Sequence, residues 1–393
     1  MRIPRVFLIM GLFFVFVPAF SPAEPLHSPT WGFSLDTPEG YFYESGDGRD
    51  RFSFVSPDGG IIDLAVYGPG TFESPESLAR DIRTRLNSRG DISPYTYHGK
   101  KAAIMELNIS RPGSALSGWV LCVELEARQG GSPPLLAALA YGPASMRGLQ
   151  PVHLSALDSI APSEAEKRVS GPVTEFSYPR GDLVRAGIAG KNLAAWIGRN
   201  DAEASQALIE REFSVFRGYL DSPLWKEAWI RFYRALFRDS YERLADLAFI
   251  FERDWHEKYI QNRTGDARND DEGRARDFAR AALAWVQGFS YERDLQGSDF
   301  VNLTSAATEG RGDCDSRALL WAIILARNNI PAAIMVSRHY SHAMGLAQVR
   351  GPGAVFALDG RNWIVAETTA NVDIGRIGES VSDPAHWIGI IFK

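Results

Sequence analysis

The residues best suited to chemistry in this sequence surround Cys314, one of two cysteines among 393 residues. The turn Gly312-Asp313 precedes Cys314, and the apolar run Ala318–Leu325 follows it, which predicts a buried helix with Cys314 in its first turn. Unpaired backbone N–H groups and the positive end of a helix dipole favour a thiolate there. Cys314 is therefore a candidate nucleophile, although a free cysteine is also a common buried packing residue.

A cysteine nucleophile needs a base that takes and returns its proton. His342 lies in an alternating apolar segment that predicts a strand, and it is our candidate for the base. His339 precedes it by three residues, so on a strand the two side chains would point to opposite faces and only one could meet Cys314. We choose His342.

The base in turn needs a group that fixes its orientation. Asp359-Gly360 predicts a tight hairpin turn, and the strand that follows it ends on the carboxylate of Glu367. Glu367 is the candidate orienting acid, and Asp373 is its nearest substitute. The expected order is a cysteine at a helix start, a histidine on one strand and an acid on the next.

The region from about Ala282 to Thr369 resembles the transglutaminase-like branch of the papain-like cysteine enzymes. The similar segments occur in the family's order: Trp285–Tyr291, Gly312–Asp315 with Ala318–Leu320, Asn329–Ala332, His342-Ala343 and Trp363–Thr369. The resemblance implies a cysteine peptidase, amidase or acyltransferase in which Cys314, His342 and Glu367 form the triad. It implies attack by Cys314 on the carbonyl of a peptide or protein amide, with hydrolysis and transamidation both open.

Two positions depart from the family pattern. The family usually has Asp-Pro-Thr at the acid, whereas this chain has Glu367-Thr368-Thr369, and it often has an aromatic residue where Met344 stands. Glutamate can orient an imidazole as aspartate does, but Met344 removes one expected wall of the site. The alternative hypothesis is therefore a catalytically inactive envelope protein, with a binding or scaffold role and a vestigial triad.

Other groups near the nucleophile have ordinary explanations. Asp313 and Asp315 are expected to cap the helix, and their charges oppose thiolate formation. The backbone N–H of Cys314 is one candidate oxyanion donor. The second donor stays open among the following residues: Tyr291, Gln296 and Asn302.

We expect no cofactor and no metal in this protein. The two cysteines are far apart, and neither a His-Glu helix motif nor a Gly-rich phosphate loop occurs. Cys122 lies in a predicted strand and is interpreted as a packing residue. The net charge of −6 argues against nucleic acid and against an anionic membrane surface. The expected partner is a peptide or protein substrate, with a cell-envelope component as one candidate, and the oligomeric state stays open.

The N-terminus predicts export to the periplasm or the extracellular space. Arg2 and Arg5 precede the apolar run Val6–Val17, and Ser21–Ala23 offers small residues for cleavage, so residues 1–23 form a predicted signal peptide. An uncleaved N-terminal anchor is the alternative. No later apolar segment reaches about twenty residues, so no membrane span is expected after signal removal.

The fold class predicted is α+β, with an antiparallel α/β sandwich at 24–163, a linker at 164–181 and a helix-rich, transglutaminase-like unit at 182–393 whose core is about 274–393. The order of elements in the first unit resembles the Mog1/PsbP-like sandwich, with Pro38–Tyr41 and Leu157–Ile160 similar to its ends. Its strands are predicted at 41–43, 51–55, 61–67, 101–109, 118–127 and 135–141, and its helices at 77–86 and 153–160. Later helices are predicted at 202–219, 224–238, 241–259 and 274–289, with Arg231, Arg234 and Arg238 on a solvated face.

Overall fold

The computed structural model describes residues 25–111, 113–127, 130–262, 271–293 and 298–392. The predicted signal peptide at 1–23 and the candidate oxyanion donor Gln296 lie outside these ranges. The chain is α+β as predicted, with a large antiparallel sheet in its N-terminal region and helices in its C-terminal region. Across the described ranges, every helix is too short or too polar to cross a bilayer.

The strands of the N-terminal region confirm the predicted set and add to it. They are β1 (Leu26–His27), β2 (Ser34–Leu35), β3 (Phe42–Gly46), β4 (Arg51–Val55), β5 (Ile61–Tyr67), β6 (Ile92–Tyr97), β7 (Lys100–Arg111), β8 (Ser114–Glu124) and β9 (Leu135–Pro143). The main sheet has the order β3-β4-β5-β9-β8-β7-β6, and every neighbouring pair is antiparallel. The strands β1, β2 and β6 were not predicted from the sequence.

A helix covers each face of this sheet. Helix α1 (Pro75–Arg85) begins with a capping box in which Ser74 and Ser77 bond reciprocally, and its apolar side packs on the face that contains Cys122. Helix α2 (Leu149–Asp158) packs on the opposite face, with Leu121 and its neighbours. Because successive strand residues point to opposite faces, Leu121 and Cys122 belong to two separate apolar layers.

The segment predicted as a linker, 164–181, contains a 3₁₀ turn at Ala165–Arg168 and helix α3 (Pro172–Ser177). Its first part is held to the sheet unit, because Thr174 donates from its backbone N–H and its hydroxyl to the buried carboxylate of Asp158. A short hairpin follows, formed by β10 (Leu183–Gly187) and β11 (Ala194–Gly198).

The C-terminal helices confirm the predicted elements with shifted ends. They are α4 (Asp201–Arg217), α5 (Trp225–Arg243), α6 (Ala245–Asn262), α7 (Asp271–Gln287), the single turn α8 (Leu303–Ser305) and α9 (Cys314–Arg327). Helix α9 is the centre of the unit, since its residues from Ala318 to Leu325 are fully buried.

The C-terminal strands are β12 (Ser290–Tyr291), β13 (Arg311–Gly312), β14 (Ala332–Ser337), β15 (His342–Ala347), β16 (Val355–Leu358), β17 (Arg361–Ala366) and β18 (Ile388–Ile391). Five of them form a sheet of order β16-β17-β15-β14-β18. The predicted Asp359-Gly360 turn is confirmed between β16 and β17, where both residues have positive φ (51° and 69°) as a type I′ turn requires.

The arginines of α5 do not form a solvated face, and that interpretation was wrong. Arg231 is 3% exposed and donates to Ser155, while Arg234 makes a two-bond ion pair with Asp36. Arg238 donates to several backbone carbonyls of the N-terminal region, including that of Ile160 at 2.8 Å. Arg231 is buried and the other two are half-buried, because their guanidinium groups pair with polar groups where α5 packs against the sheet unit.

Candidate active site

The turn before α9 holds Cys314 in a defined position. Asp313 caps the helix by accepting the backbone N–H of Ser316 at 2.7 Å, as predicted. The buried side chain of Arg317 fixes the same turn, since it donates to the carbonyl of Gly312 at 3.0 Å and to that of Phe289 at 2.8 Å. Cys314 itself is 2% exposed.

The sheet approaches α9 closely at Gly345. A side chain at Gly345 would collide with the ring of Trp321, whose Nε1 donates to the carbonyl of Ala279 at 3.0 Å and fixes the indole. The lack of a side chain at Gly345 thus lets β15, and with it His342, lie against the helix of the nucleophile.

His342 and Glu367 are brought together by the register of two strands. Gly345 pairs with Ala366 in the antiparallel β15–β17 ladder, so His342 at the start of β15 and Glu367 just after β17 become diagonal neighbours at one end of the sheet. His342 Nε2 lies 2.8 Å from Glu367 Oε2.

The contacts of Glu367 determine the tautomer of His342. Burial tends to raise the pKa of Glu367, but the hydrogen bonds from His342 and Thr369 outweigh it and hold that pKa below its usual value. The other oxygen of the carboxylate accepts from the Thr369 backbone N–H at 2.8 Å and from its hydroxyl at 2.6 Å. An ionised carboxylate only accepts, so Nε2 of His342 carries the proton and Nδ1 is available as a base.

The sulfur of Cys314 has two defined contacts. The thiol donates to Asp315 Oδ2 at 3.3 Å, and the backbone N–H of Ala343, the residue after His342, interacts with the sulfur and favours its charged form. Within the described residues no hydrogen bond joins the sulfur to the imidazole of His342. In this state the thiol proton is directed to Asp315.

The electrostatics around the sulfur differ from the expectation for a helix start. Burial, followed by the charges of Asp315 and Asp313, raises the pKa of Cys314 well above its usual value. Burial and the neighbouring Asp315 also raise the pKa of Asp313 to about 7. Two acids and a dry environment therefore outweigh the helix dipole, which reverses the predicted direction.

Tyr233 was not recognised from the sequence as part of this site. Its hydroxyl bonds to Oδ1 of Asp315, and its pKa is raised well above the usual value by burial and by that carboxylate. Tyr233 on α5 thus fixes the carboxylate that accepts the thiol proton. Tyr233 falls at helical spacing with other aromatic residues of α5, and such a stripe is typical of a core.

An aromatic wall is present beside His342, although Met344 does not supply it. Met344 is fully buried in the apolar layer that also contains Trp363. The ring of Trp387 lies 6.2 Å from that of His342. Trp387 immediately precedes β18, so the wall comes from an element that the sequence analysis did not predict.

The remaining candidates have structural roles. His339 lies in the turn before β15 and stacks on His386, with ring centroids 4.1 Å apart. Asp373 is paired with Arg280 at 2.8 Å, so it does not orient His342. Asn302 caps the turn α8 by accepting from Ser305 at 2.9 Å.

Tyr291 is 56% exposed and pairs in the β12–β13 bridge with Gly312, two residues before Cys314. Its pKa is raised by burial and then by the charge of Cys314, which places its phenol in the electrostatic neighbourhood of the sulfur. Gln287, missed from the sequence, donates to the backbone carbonyls of Glu367 and Val372 at 2.8 and 2.9 Å and fixes the segment after β17.

The described residues contain no group of three or more His, Cys, Asp or Glu side chains arranged to hold a metal ion. The groups that surround Cys314 and His342 are carboxylates, a phenol and backbone amides.

No protein-family model and no curated protein matches this chain. The solved structures that are similar to parts of it include the following two. LpqN, involved in cell envelope biogenesis of Mycobacterium tuberculosis, is 15% identical, with 35% of this chain and 90% of LpqN covered and a TM-score of 0.27. A crystal structure from Bacteroides thetaiotaomicron VPI-5482 is 12% identical, with 55% and 77% covered and a TM-score of 0.25. Because both TM-scores are low, neither likeness carries an argument about this protein.

Proposed function

We propose that the protein is an exported, transglutaminase-like cysteine hydrolase or acyltransferase that acts on amide bonds of peptides or proteins. Cys314 is the nucleophile, His342 the base and Glu367 the orienting acid. The observation that carries the proposal is the 2.8 Å contact between His342 Nε2 and Glu367 Oε2. His342 begins β15, and the backbone N–H of the next residue, Ala343, contacts the sulfur of Cys314.

In the proposed reaction the sulfur turns away from Asp315 and gives its proton to Nδ1 of His342. The sulfur then bonds to the substrate carbonyl carbon, and the backbone N–H of Cys314 stabilises the oxyanion. The protonated His342 gives the proton to the departing amine as the C–N bond breaks, which leaves a thioester. Water, or a second amine, attacks that thioester and releases Cys314.

Glu367 has two functions in this scheme. It keeps the proton on Nε2, so that Nδ1 receives the thiol proton, and it stabilises the imidazolium that forms. The two hydrogen bonds from Thr369 support it, because they hold the carboxylate in its ionised form and in one orientation.

A catalytically inactive binding or scaffold protein is the second candidate. It is favoured by the raised pKa of Cys314 and by the hydrogen bond from its thiol to Asp315, which together describe an unreactive thiol. In that case the N-terminal sheet unit, which we propose to be Mog1/PsbP-like, and the C-terminal unit would both bind an envelope component.

We further propose that residues 1–23 direct export to the periplasm or the extracellular space, with removal of the signal or retention as an anchor. The N-terminal unit would then bind or position the substrate, a role consistent with its buried contacts to α5.

The test is a screen of purified protein against labelled peptides and cell-wall fragments, with Cys314→Ala and Cys122→Ala as a matched pair. We expect product formation by the wild type and by Cys122→Ala, and none by Cys314→Ala. Turnover that persists without the Cys314 thiol would overturn the proposed chemistry. Binding without turnover, unchanged in Cys314→Ala, would support the scaffold.

A further inference from the structure

A cavity of about 590 Å³ opens beside the His342–Glu367 pair. Its lining combines the two site residues with an apolar surface and a few charged groups, as small-ligand sites do. The remaining lining residues are Ala370, Val372, Asp373, Arg376, Ile377, Gly378 and Val381.

The two carboxylates of this lining are already satisfied. Glu367 accepts from His342 on one oxygen and from Thr369 on the other. Asp373 accepts Nε and Nη2 of Arg280 on its two oxygens, at 2.9 and 2.8 Å. Neither carboxylate needs a cation from a ligand.

Arg376 is in the opposite situation. Its side chain is exposed at the cavity, and within the described residues its guanidinium makes no hydrogen bond or ion pair. The Asp373 carboxylate is paired with Arg280 and also feels the charge of Arg276, so it does not neutralise Arg376, whose positive charge stays available at the cavity. A guanidinium binds a carboxylate through two parallel hydrogen bonds, so it fits an anionic ligand group.

The position of the cavity assigns it to one side of the substrate. The group that protonates the departing amine must lie next to that nitrogen, so the part of the substrate beyond the scissile amide extends past His342. The cavity lies at His342, and its apolar residues offer contact to the side chain or backbone there.

We propose that this cavity binds the leaving side of the substrate and that Arg376 pairs with a carboxylate there. The preferred substrate is then a peptide with an acidic side chain, or a free C-terminal carboxylate, just beyond the scissile amide. This inference rests on the proposed function for the identity of the leaving side.

The test measures binding, so that it does not depend on turnover. Full-length Cys314→Ala protein is titrated with three fluorescein-labelled pools of random pentapeptides. One pool has glutamate fixed at the centre and an amidated C-terminus, the second has glutamine there, and the third has a free C-terminal carboxylate with a central glutamine. The same titrations are made with two double variants, in which either Arg376→Gln or Arg147→Gln is added to Cys314→Ala. Arg147→Gln is the control, because it removes an exposed arginine outside the cavity.

We expect one of the carboxylate pools to bind about tenfold more tightly than the glutamine pool, which corresponds to about 1.4 kcal/mol. Arg376→Gln should abolish that difference and Arg147→Gln should preserve it. Which pool is preferred separates a side-chain carboxylate from a terminal one. Equal binding of all pools, no binding of any pool, or a preference that survives in Arg376→Gln would overturn the inference.

The failure of this inference can be told apart from failure of the proposed function. If Cys314 is unreactive but carboxylate peptides bind in an Arg376-dependent way, the cavity is a ligand site of a non-catalytic protein. If Cys314 is reactive but the protein binds peptides regardless of their charge, the proposed enzymatic function stands and the proposed role of Arg376 is refuted.

Discussion

The N-terminal and C-terminal regions each bury one free cysteine, and the two thiols lie in very different surroundings. Cys122 is fully buried on a strand of the large sheet, and burial alone raises its pKa far above the usual value. Cys314 is 2% exposed, but it opens a helix, donates to Asp315 and contacts the backbone N–H of Ala343. Burial therefore does not distinguish a structural thiol from a candidate nucleophile.

The polar groups around the thiol make the distinction. The neighbours of Cys122 in its layer are apolar, and in the described part of the chain its thiol has no side-chain hydrogen bond. Cys314 has a carboxylate that accepts its proton in the resting state and a His342–Glu367 pair at the adjoining strand. Under the proposed function, the thiol of Cys314 leaves Asp315 and gives its proton to His342, a step for which Cys122 has no counterpart.

The largest expected contrast is between the two alanine variants. Cys314→Ala should lower turnover by about 10³-fold or more, because the covalent step is lost. Cys122→Ala should leave turnover unchanged and lower the free energy of unfolding by about 1 kcal/mol through a small cavity. Steady-state kinetics and urea denaturation measure the two effects. The reverse pattern would contradict the assignment.

Glu367→Gln is the next largest change. The amide cannot stabilise the imidazolium and can present its NH₂ group to Nε2, which favours the wrong tautomer, so kcat should fall by about 10²- to 10⁴-fold with little change in KM. Glu367→Asp serves as the control, since it keeps the charge and should retain part of the activity. Equal kcat in wild type and Glu367→Gln would remove Glu367 from the site.

Asp315→Asn tests the resting contact of the thiol. Loss of the negative charge beside the sulfur should lower the pKa of Cys314 and raise its alkylation rate at neutral pH by about tenfold, since one pKa unit is a tenfold change in thiolate. Tyr233→Phe should act in the opposite direction, because it leaves the Asp315 carboxylate without its phenol donor. The pH dependence of alkylation measures both, and a shift of equal sign in the two variants would refute this account.

The smallest effect on activity is expected at Glu39, a buried carboxylate in the N-terminal region. In contrast to Glu367, its Oε2 has no hydrogen-bond partner in the described part of the chain, and burial, opposed by Arg231, raises the pKa of Glu39 from 4.5 to about 7. The folded state therefore holds a proton that the unfolded state releases, so the free energy of unfolding should fall as the pH rises from about 4.5 to about 7.

Glu39→Gln should remove that pH dependence and stabilise the protein at pH 8 by about 1 to 3 kcal/mol, with turnover unchanged. Urea denaturation at several pH values is the measurement. An unchanged slope with pH in the variant would show that another group is responsible.

Local sequence patterns predicted a large part of this molecule. The apolar periodicity of α9, its Asp313 cap and the Asp359-Gly360 turn depend on residues close in the chain, and all three are confirmed. The His342–Glu367 contact could also be predicted from the sequence, because the hairpin turn and strand alternation place both residues at one end of a sheet.

Features that depend on distant residues were not predictable in this way. Arg231 is buried and Arg234 and Arg238 are half-buried because carbonyls and carboxylates of the N-terminal region bond to them, and no local pattern shows that partner. Trp387 reaches His342 from the residue just before the last strand in the chain. The direction of the Cys314 pKa shift depends on how dry the site is and on Asp315, which together outweigh the helix dipole.

The most direct test of the central claim is the rate at which iodoacetamide modifies each cysteine of the native protein, read by peptide mass spectrometry. We predict that Cys314, whose resting thiol is buried and bonded to Asp315, is alkylated more slowly than a free thiol at neutral pH, that His342→Ala reduces this rate by at least about tenfold, and that Cys122 is unmodified until the protein unfolds. A Cys314 rate no greater than that of Cys122, or one unaffected by His342→Ala, would contradict the account.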